Sequence, residues 1–319
     1  MTVAVGHQDR AFVHEAFLYR GPDEFLHGML QFIRDGVEAG EPVFVVLNAE
    51  KIARLREALG EDADADRVLF ADMAEVGANP ARIIAAWQDF VDEHGAGGRP
   101  IRGIGEPIWA GRSDSELAEC HRHEELLNLA FADTPAFRLL CPYDVSVLDP
   151  SVVEEAERTH PFMSDVESFR ESRSYRGLEA ISAPFADPLK DPPASAAQLW
   201  FDADSLGEVR ELVTDRAEKA GLGRETTDAL VLAVNEIATN SIRHGGGRGA
   251  IRSWDDGNYL LFQVDDGGRI DAPLAGRRQP VLHEPGGRGL WLANQLCDLV
   301  QVRTFEDGNV VRIHMAVGS

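Results

Sequence analysis

Cysteine is scarce. The chain has three, Cys120, Cys141 and Cys297, far apart and with no C-x-x-C pair. That excludes a disulfide framework or a zinc ribbon built on paired cysteines and leaves buried thiols as the ordinary reading. Positive charge is short as well. Against 54 Asp and Glu stand 31 Lys and Arg, giving a net charge of −23 and a pI near 4.8. That balance argues against direct nucleic-acid binding and against an acidic membrane surface. No apolar run approaches the roughly 20 residues that a membrane helix needs, and the opening MTVAVGHQDR has none. A cytoplasmic protein without membrane association is therefore expected. No G-x-x-x-x-G-K-[ST] occurs to cradle a triphosphate. What remains is an ordinary globular composition, 44% hydrophobic over 319 residues, enough for two domains with cores of their own.

The first half alternates strand-like and helix-like segments. Strands are expected at 12–19, 42–47, 67–71, 101–104 and 137–141, and helices at 22–39, 49–59, 80–94, 113–131 and 152–158. Such alternation predicts a parallel sheet flanked by helices. Parallel sheets bind ligands beyond the C-terminal ends of their strands. There the sequence offers Glu106-Pro107-x-Trp109 and Cys141-Pro142-Tyr143-Asp144, with Glu125 on the helix between. Glu106, Trp109, Glu125, Cys141 and Tyr143 are the candidate sensory pocket, although Trp109 and Tyr143 are equally readable as core aromatics. A metal set of His121, His123 and Glu125 is the sharper alternative for that helix. Histidines at i and i+2 diverge on a helix, however, and H-E-x-x-H is absent.

From about 163 to 197 the alternation stops, and Pro184, Pro188, Pro192 and Pro193 stand among Ala, Asp and Ser. Three parts are expected: a first domain over 1–163, a proline-rich linker over 164–197 and a second domain over 198–319.

The second domain is organised around 228–244, DALVLAVNEIATNSIRH. Leu230, Val234, Ile237 and Ala238 recur at helical spacing and predict a buried stripe. Glu236 and Asn240, at i and i+4, share an adjoining one. Alone, that pair reads as a solvated face. Downstream, however, a strand pattern ends in Asp266-Gly267-Gly268, and Gly287-Arg288-Gly289-Leu290 opens another helix after a long polar stretch. Loops of that length are often lids. In the stretch, Arg277 and Arg278 read as solvated or as closing on phosphates. His244 reads as a cation at a helix end or as facing the ligand. Asp-Asp-Gly-Asn at 255–258 and Glu-Asp-Gly-Asn at 306–309 are hairpin turns. Three helices over an antiparallel-rich sheet, an α/β sandwich, are expected.

This order of motifs resembles the GHKL ATPase superfamily, and within it the anti-sigma-factor serine/threonine kinases. The resemblance implies ATP and Mg²⁺ as cofactors. Asn240 would be the Mg²⁺ ligand, Glu236 the catalytic base and Asp266 the reader of the adenine amino group. Gly268, Gly287, Arg288, Gly289 and Leu290 would shape the nucleotide site. It also implies an anti-anti-sigma protein and a sigma factor as partners, with a homodimer left open. Ile270 departs from the family's Asp-x-Gly-x-Gly pattern, which alters the start of the lid. The first half, from His14 to His160, resembles the MEDS sensory domain through Gly103–Pro107, Glu124–Asn128 and Leu140–Asp144. That implies a sensor for a small ligand or protein. The alternatives are a nucleotide-dependent sequestration module without kinase activity, and a histidine-kinase-like sensor. The latter is disfavoured because about 35 residues ending in prolines cannot supply two long dimerisation helices.

Overall fold

The computed structural model describes residues 12–60, 67–182, 187–280 and 287–318. The chain divides into two compact units, Met1–Ile181 and Ser182–Ser319.

The first unit is built on a seven-stranded sheet. In chain order its elements are β1 (Phe12–Tyr19), α1 (Gly21–Ala39), β2 (Val43–Leu47), α2 (Ala49–Leu59), β3 (Val68–Asp72), α3 (Met73–Val76), α4 (Ile83–His94), β4 (Ile101–Gly105), α5 (Asp114–Ala130), β5 (Phe137–Asp144), α6 (Pro150–Thr159), β6 (Phe162–Ser164) and β7 (Phe169–Glu171). The strand order is β3-β2-β4-β5-β1-β6-β7, parallel except for the β6–β7 pair. The parallel sheet flanked by helices is thus present. Local chemistry sets the helix limits. Pro22 fits the first turn of α1, and Gly40 closes that helix at φ 73°. Ser113 and Glu116 form a reciprocal capping box at the start of α5.

Three features of this unit differ from expectation. The strand expected to end at Cys141 runs to Asp144, so Cys141 and Tyr143 lie within β5 and not beyond it. Two short strands extend the sheet, β6 at the expected end of the first domain and β7 inside the span expected as linker. Their three-residue lengths left no periodicity to detect. Glu119, Arg122, His123, Glu124 and Asn128 of α5 are buried beside Cys120, Leu126, Leu127 and Ala130, so its inner face is part polar, which no apolar stripe announces.

The second unit has β8 (Ala197–Asp202), α7 (Leu206–Lys219), α8 (Arg224–His244), β9 (Arg248–Asp255), β10 (Tyr259–Asp266), α9 (Arg288–Leu296), β11 (Leu299–Phe305) and β12 (Gly308–Ala316). Its sheet is antiparallel in the order β11-β12-β10-β9-β8. Val209, Val213, Leu230, Val234, Ile237, Ala238, Leu290 and Ala293 from the helices pack on Ile251, Phe262, Val264, Val300 and Ile313 of one sheet face. The other face is polar, carrying Arg252, Gln263, Asp265 and Arg312. The proline segment from 188 to 196 lines a cavity of about 480 Å³ with them. Arg312 donates to the Lys190 carbonyl (2.6 Å) and Arg303 to that of Asp187 (2.9 Å). Pro188, Pro192 and Pro193 therefore form part of the second unit's outer surface.

Candidate functional site

In the second unit, α8, the end of β10 and the start of α9 enclose a cavity of about 770 Å³. Glu236, Asn240, Asp266, Gly287, Arg288, Gly289 and Leu290 all line it. Residues up to 54 positions apart in sequence thus share one wall of space large enough for a nucleotide-sized ligand. Glu236 and Asn240 are half-buried on α8, one turn apart, while Leu230, Val234 and Ile237 anchor the adjoining stripe in the core. Gly289 lets α9 come close. A Cβ there would lie 2.7 Å from Asn240 Nδ2 and 3.3 Å from Glu236 Oε2. Gly287, at φ 76°, turns the chain into α9, whose first N–H groups belong to cavity-lining residues.

Asp266 closes the other end. Its Oδ2 accepts from Ser241 Oγ (2.7 Å) and its Oδ1 from the Gly268 amide (2.7 Å). Gly268 thus shapes the site through its backbone, one layer behind the cavity wall. Asn309 also points its amide at Asp266 Oδ1, 3.4 Å away. Neither Ser241 nor Asn309 was singled out from sequence. Ser241 hides among helix residues, and Asn309 was read only as a turn residue. Asn309 Oδ1 accepts from the Ile270 amide (3.1 Å) and from Thr304 Oγ1 (2.7 Å). The start of the long connection is therefore tied to the β11–β12 hairpin. Ile270 itself lines the cavity and packs on the core. Arg277 is buried rather than solvated, and neither it nor Arg278 lines the cavity among the described residues. Residues 281–286 of the expected lid lie outside the described residues. His244 is the last residue of α8 and also lines the cavity.

The five residues proposed as a sensory pocket occupy separate surroundings in the first unit. Glu106 is buried just beyond β4, where Lys51 Nζ reaches both carboxylate oxygens at 2.5 Å and Tyr19 Oη donates at 3.0 Å. Burial raises the Glu106 carboxyl above its ordinary value, with Lys51 and Tyr19 opposing. Tyr19 ends β1 and Lys51 lies in the first turn of α2, so this cluster does sit at the strand ends. Neither residue was foreseen, because only the crossing of three elements brings them together. Trp109 is covered by the Arg112 guanidinium, 3.7 Å from its ring centre. Glu125 pairs with Arg176 at 3.4 Å. Cys141 and Tyr143 belong to a third group. The Tyr143 ring stands edge-on to His160, and Cys141 Sγ lies 3.4 Å from His14 Nε2 and 3.5 Å from Glu124 Oε2. Burial pushes both the Cys141 thiol and the Tyr143 hydroxyl well above their ordinary values and lowers His14 to about 4. The metal set weighed from sequence is not assembled. The donors that do converge are His14, Glu124, Cys141 and His160, without His121, His123 or Glu125.

Among the described residues no helix is long and apolar enough to cross a membrane. No curated protein matches the chain. One solved structure it matches is the Acinetobacter baumannii histidine kinase AdeS, 14% identical, over 54% of this chain and 88% of that one. The TM-score of 0.24 is too low to carry an argument. Residues 13–161 match the family described as MEDS, the MEthanogen/methylotroph, DcmR Sensory domain. Residues 199–315 match the family described as Histidine kinase-like ATPase domain. The chain therefore carries a MEDS sensory domain followed by a histidine kinase-like ATPase domain.

Proposed function

We propose that this protein is a sensory regulator whose second unit binds Mg-ATP and transfers the γ-phosphoryl group to a serine or threonine of a separate protein. In the anti-sigma-kinase reading that acceptor is an anti-anti-sigma protein, and a sigma factor is the second partner. The observation that carries the proposal is the single cavity in which Glu236 and Asn240 of α8 face the Gly287–Leu290 turn, with Asp266 at its far end.

The residues suit the ligand. Asp266 is a carboxylate held by Ser241 and Gly268, placed to accept a hydrogen bond from an adenine amino group. Asn240 offers a neutral oxygen of the kind Mg²⁺ takes while keeping several waters. The first amides of α9 offer donors to phosphate. Bound Mg²⁺ would supply neutralisation of the triphosphate charge. Glu236 then holds the incoming hydroxyl and takes its proton as the oxygen bonds to phosphorus and the bond to the ADP oxygen breaks. Phosphoryl transfer asks little else of a protein than positioning and charge.

One feature favours a second reading, nucleotide-gated sequestration of a partner without transfer. Ile270 replaces a lid glycine, and its amide is bonded to Asn309, which ties down the segment that would have to move.

The test is incubation of the full chain with γ-labelled ATP, Mg²⁺ and candidate anti-anti-sigma proteins, followed by phosphosite mapping. Acid-stable phosphoserine or phosphothreonine on the partner is expected. Acid-labile phosphohistidine on this chain would overturn the transfer reading. Sigma-factor binding without any acceptor would leave sequestration in its place.

A further inference from the structure

Inside the first unit, four donor atoms that the proposed function does not use converge on one place. One donor atom from each of His14, Glu124, Cys141 and His160 lies within 4.8 Å of the other three, and all four residues are buried. His14 comes from β1, Cys141 from the adjacent β5, Glu124 from α5 and His160 from the residue that caps α6.

The surrounding hydrogen bonds decide which way the ring protons point. The Asn128 amide donates to the Thr159 carbonyl at 2.7 Å and reaches the Glu124 and Glu125 carbonyls. Its NH₂ is thereby fixed outward, and its Oδ1 faces His14 Nδ1 at 3.2 Å. That nitrogen must carry a proton, so a neutral His14 turns the lone pair of Nε2 inward. His160 repeats the arrangement, with Nδ1 2.9 Å from the Ala156 carbonyl. Its Nε2 lies 3.3 Å from Glu124 Oε2 but makes no hydrogen bond. Glu124 Oε1 is also buried and unbonded. Two inward lone pairs, a carboxylate and a thiol therefore meet in the protein interior, where burial strongly disfavours uncompensated charge. A positive charge among them compensates the carboxylate, and a metal ion supplies it without protonating either imidazole.

We propose that His14, Glu124, Cys141 and His160 bind one divalent transition-metal ion, zinc foremost. The spacing fits. Tetrahedral zinc, with bonds of about 2.0–2.3 Å, sets its donors roughly 3.3–3.6 Å apart. Glu124 Oε2 lies 3.1 Å from His14 Nε2, 3.3 Å from His160 Nε2 and 3.5 Å from Cys141 Sγ, and Cys141 Sγ lies 3.4 Å from His14 Nε2; no pair in the set exceeds 4.8 Å, so the metal has only to draw the donors slightly inward. The charge fits as well. On binding, Cys141 gives its thiol proton to solvent. Thiolate and carboxylate then cancel the two positive charges, and both imidazoles stay neutral. Imidazole and thiolate together select a transition metal over Mg²⁺ or Ca²⁺. Asn128 and the Ala156 carbonyl are the outer partners that orient metal-bound imidazoles. With four buried protein ligands the site is closed. It holds an ion rather than presenting one to a substrate.

The experiment uses the full chain, purified without chelator or metal-affinity resin. Elemental analysis should find one transition-metal ion per chain. After chelation, Co²⁺ titration should saturate at one equivalent, with a thiolate-to-cobalt charge-transfer band and intense tetrahedral d–d bands. Cys141→Ser should abolish the charge-transfer band, whereas Cys120→Ser, Cys297→Ser and His121→Ala should keep it. A wild-type protein folded by circular dichroism that takes up neither Zn²⁺ nor Co²⁺ stoichiometrically overturns the proposal, as does a charge-transfer band that survives Cys141→Ser. If a ligand variant does not fold, the wild-type titration decides alone. ATP binding plays no part in these readouts, so the metal site and the proposed function fail separately.

Discussion

The two units place the polar groups of their candidate sites differently. In the first, Glu106, Glu124, His14 and His160 are buried, each against groups from other elements. In the second, Glu236, Asn240 and Asp266 are half-buried around an open cavity. A mutation should therefore register differently in each. A buried polar group stripped of its partner is a stability defect, because the partner loses solvation with nothing in return. A polar group facing a cavity already has water, so its loss is felt when the ligand arrives.

The sharpest test of that contrast is Glu236→Gln. Phosphoryl transfer should fall on the order of 10²–10⁴-fold, the usual scale for a positioned base. ATP binding by calorimetry and the melting temperature should stay near wild type. Transfer at the wild-type rate would remove Glu236 from the mechanism.

Lys51→Met should do the reverse. It leaves Glu106 buried without its cation and should cost about 3 kcal/mol of first-unit stability in denaturant titrations at neutral pH, with ATP affinity unchanged. The deficit has a sign in pH. Burial raises the Glu106 carboxyl above its ordinary 4.5, so the folded state holds the proton more tightly than the unfolded chain. The stability this confers is present at pH below the ordinary value and is lost as pH rises through the raised one. The variant's deficit should therefore shrink on acidification; a deficit that is flat or growing there would contradict the assignment.

Asp266→Asn comes next, with nucleotide binding weakened by about 10–100-fold, the cost of one ill-matched hydrogen-bonding group in a binding site. Calorimetry against ATP and GTP checks it, and equal affinities for both in the wild type would argue against adenine reading. The smallest effect should come from Ile270→Gly. Lost apolar burial and added chain entropy should lower second-unit stability by about 1–2 kcal/mol. Mg-ATP affinity should change less than in Asp266→Asn. A large gain in transfer rate would show that Ile270 restrains the lid.

The sequence was most legible where chemistry is local. The stripe Leu230, Val234, Ile237 and Ala238 is the buried face of α8 because helical periodicity alone places it. The two Asp/Gly/Asn turns mark the hairpins because few residues accept their backbone angles. Glu236 and Asn240 lie one turn apart for the same geometric reason. It was least legible where the partners are distant. Position near a strand end is a local property, whereas the groups each side chain meets are not. Glu106 turned to Tyr19 and Lys51, while Cys141 turned to His14 and Glu124, residues 127 and 17 positions away. The short strands β6 and β7 exist only because β1 offers an edge to pair with.

By itself, then, the sequence determined two α/β units, the helix with its Glu236–Asn240 pair, the acid after β10 and the glycines before α9. All of these follow from 3.6-residue and 2-residue periods and from backbone preferences within a few residues. Long-range packing was needed to show that Ser241 and Asn309 hold Asp266, that Pro188, Pro192 and Pro193 line the outer face of the second sheet, and that two histidines, a glutamate and a cysteine meet in the first unit's interior. Those contacts depend on strand order and crossing angles. Packing fixes these over the whole chain, and no window of sequence contains them.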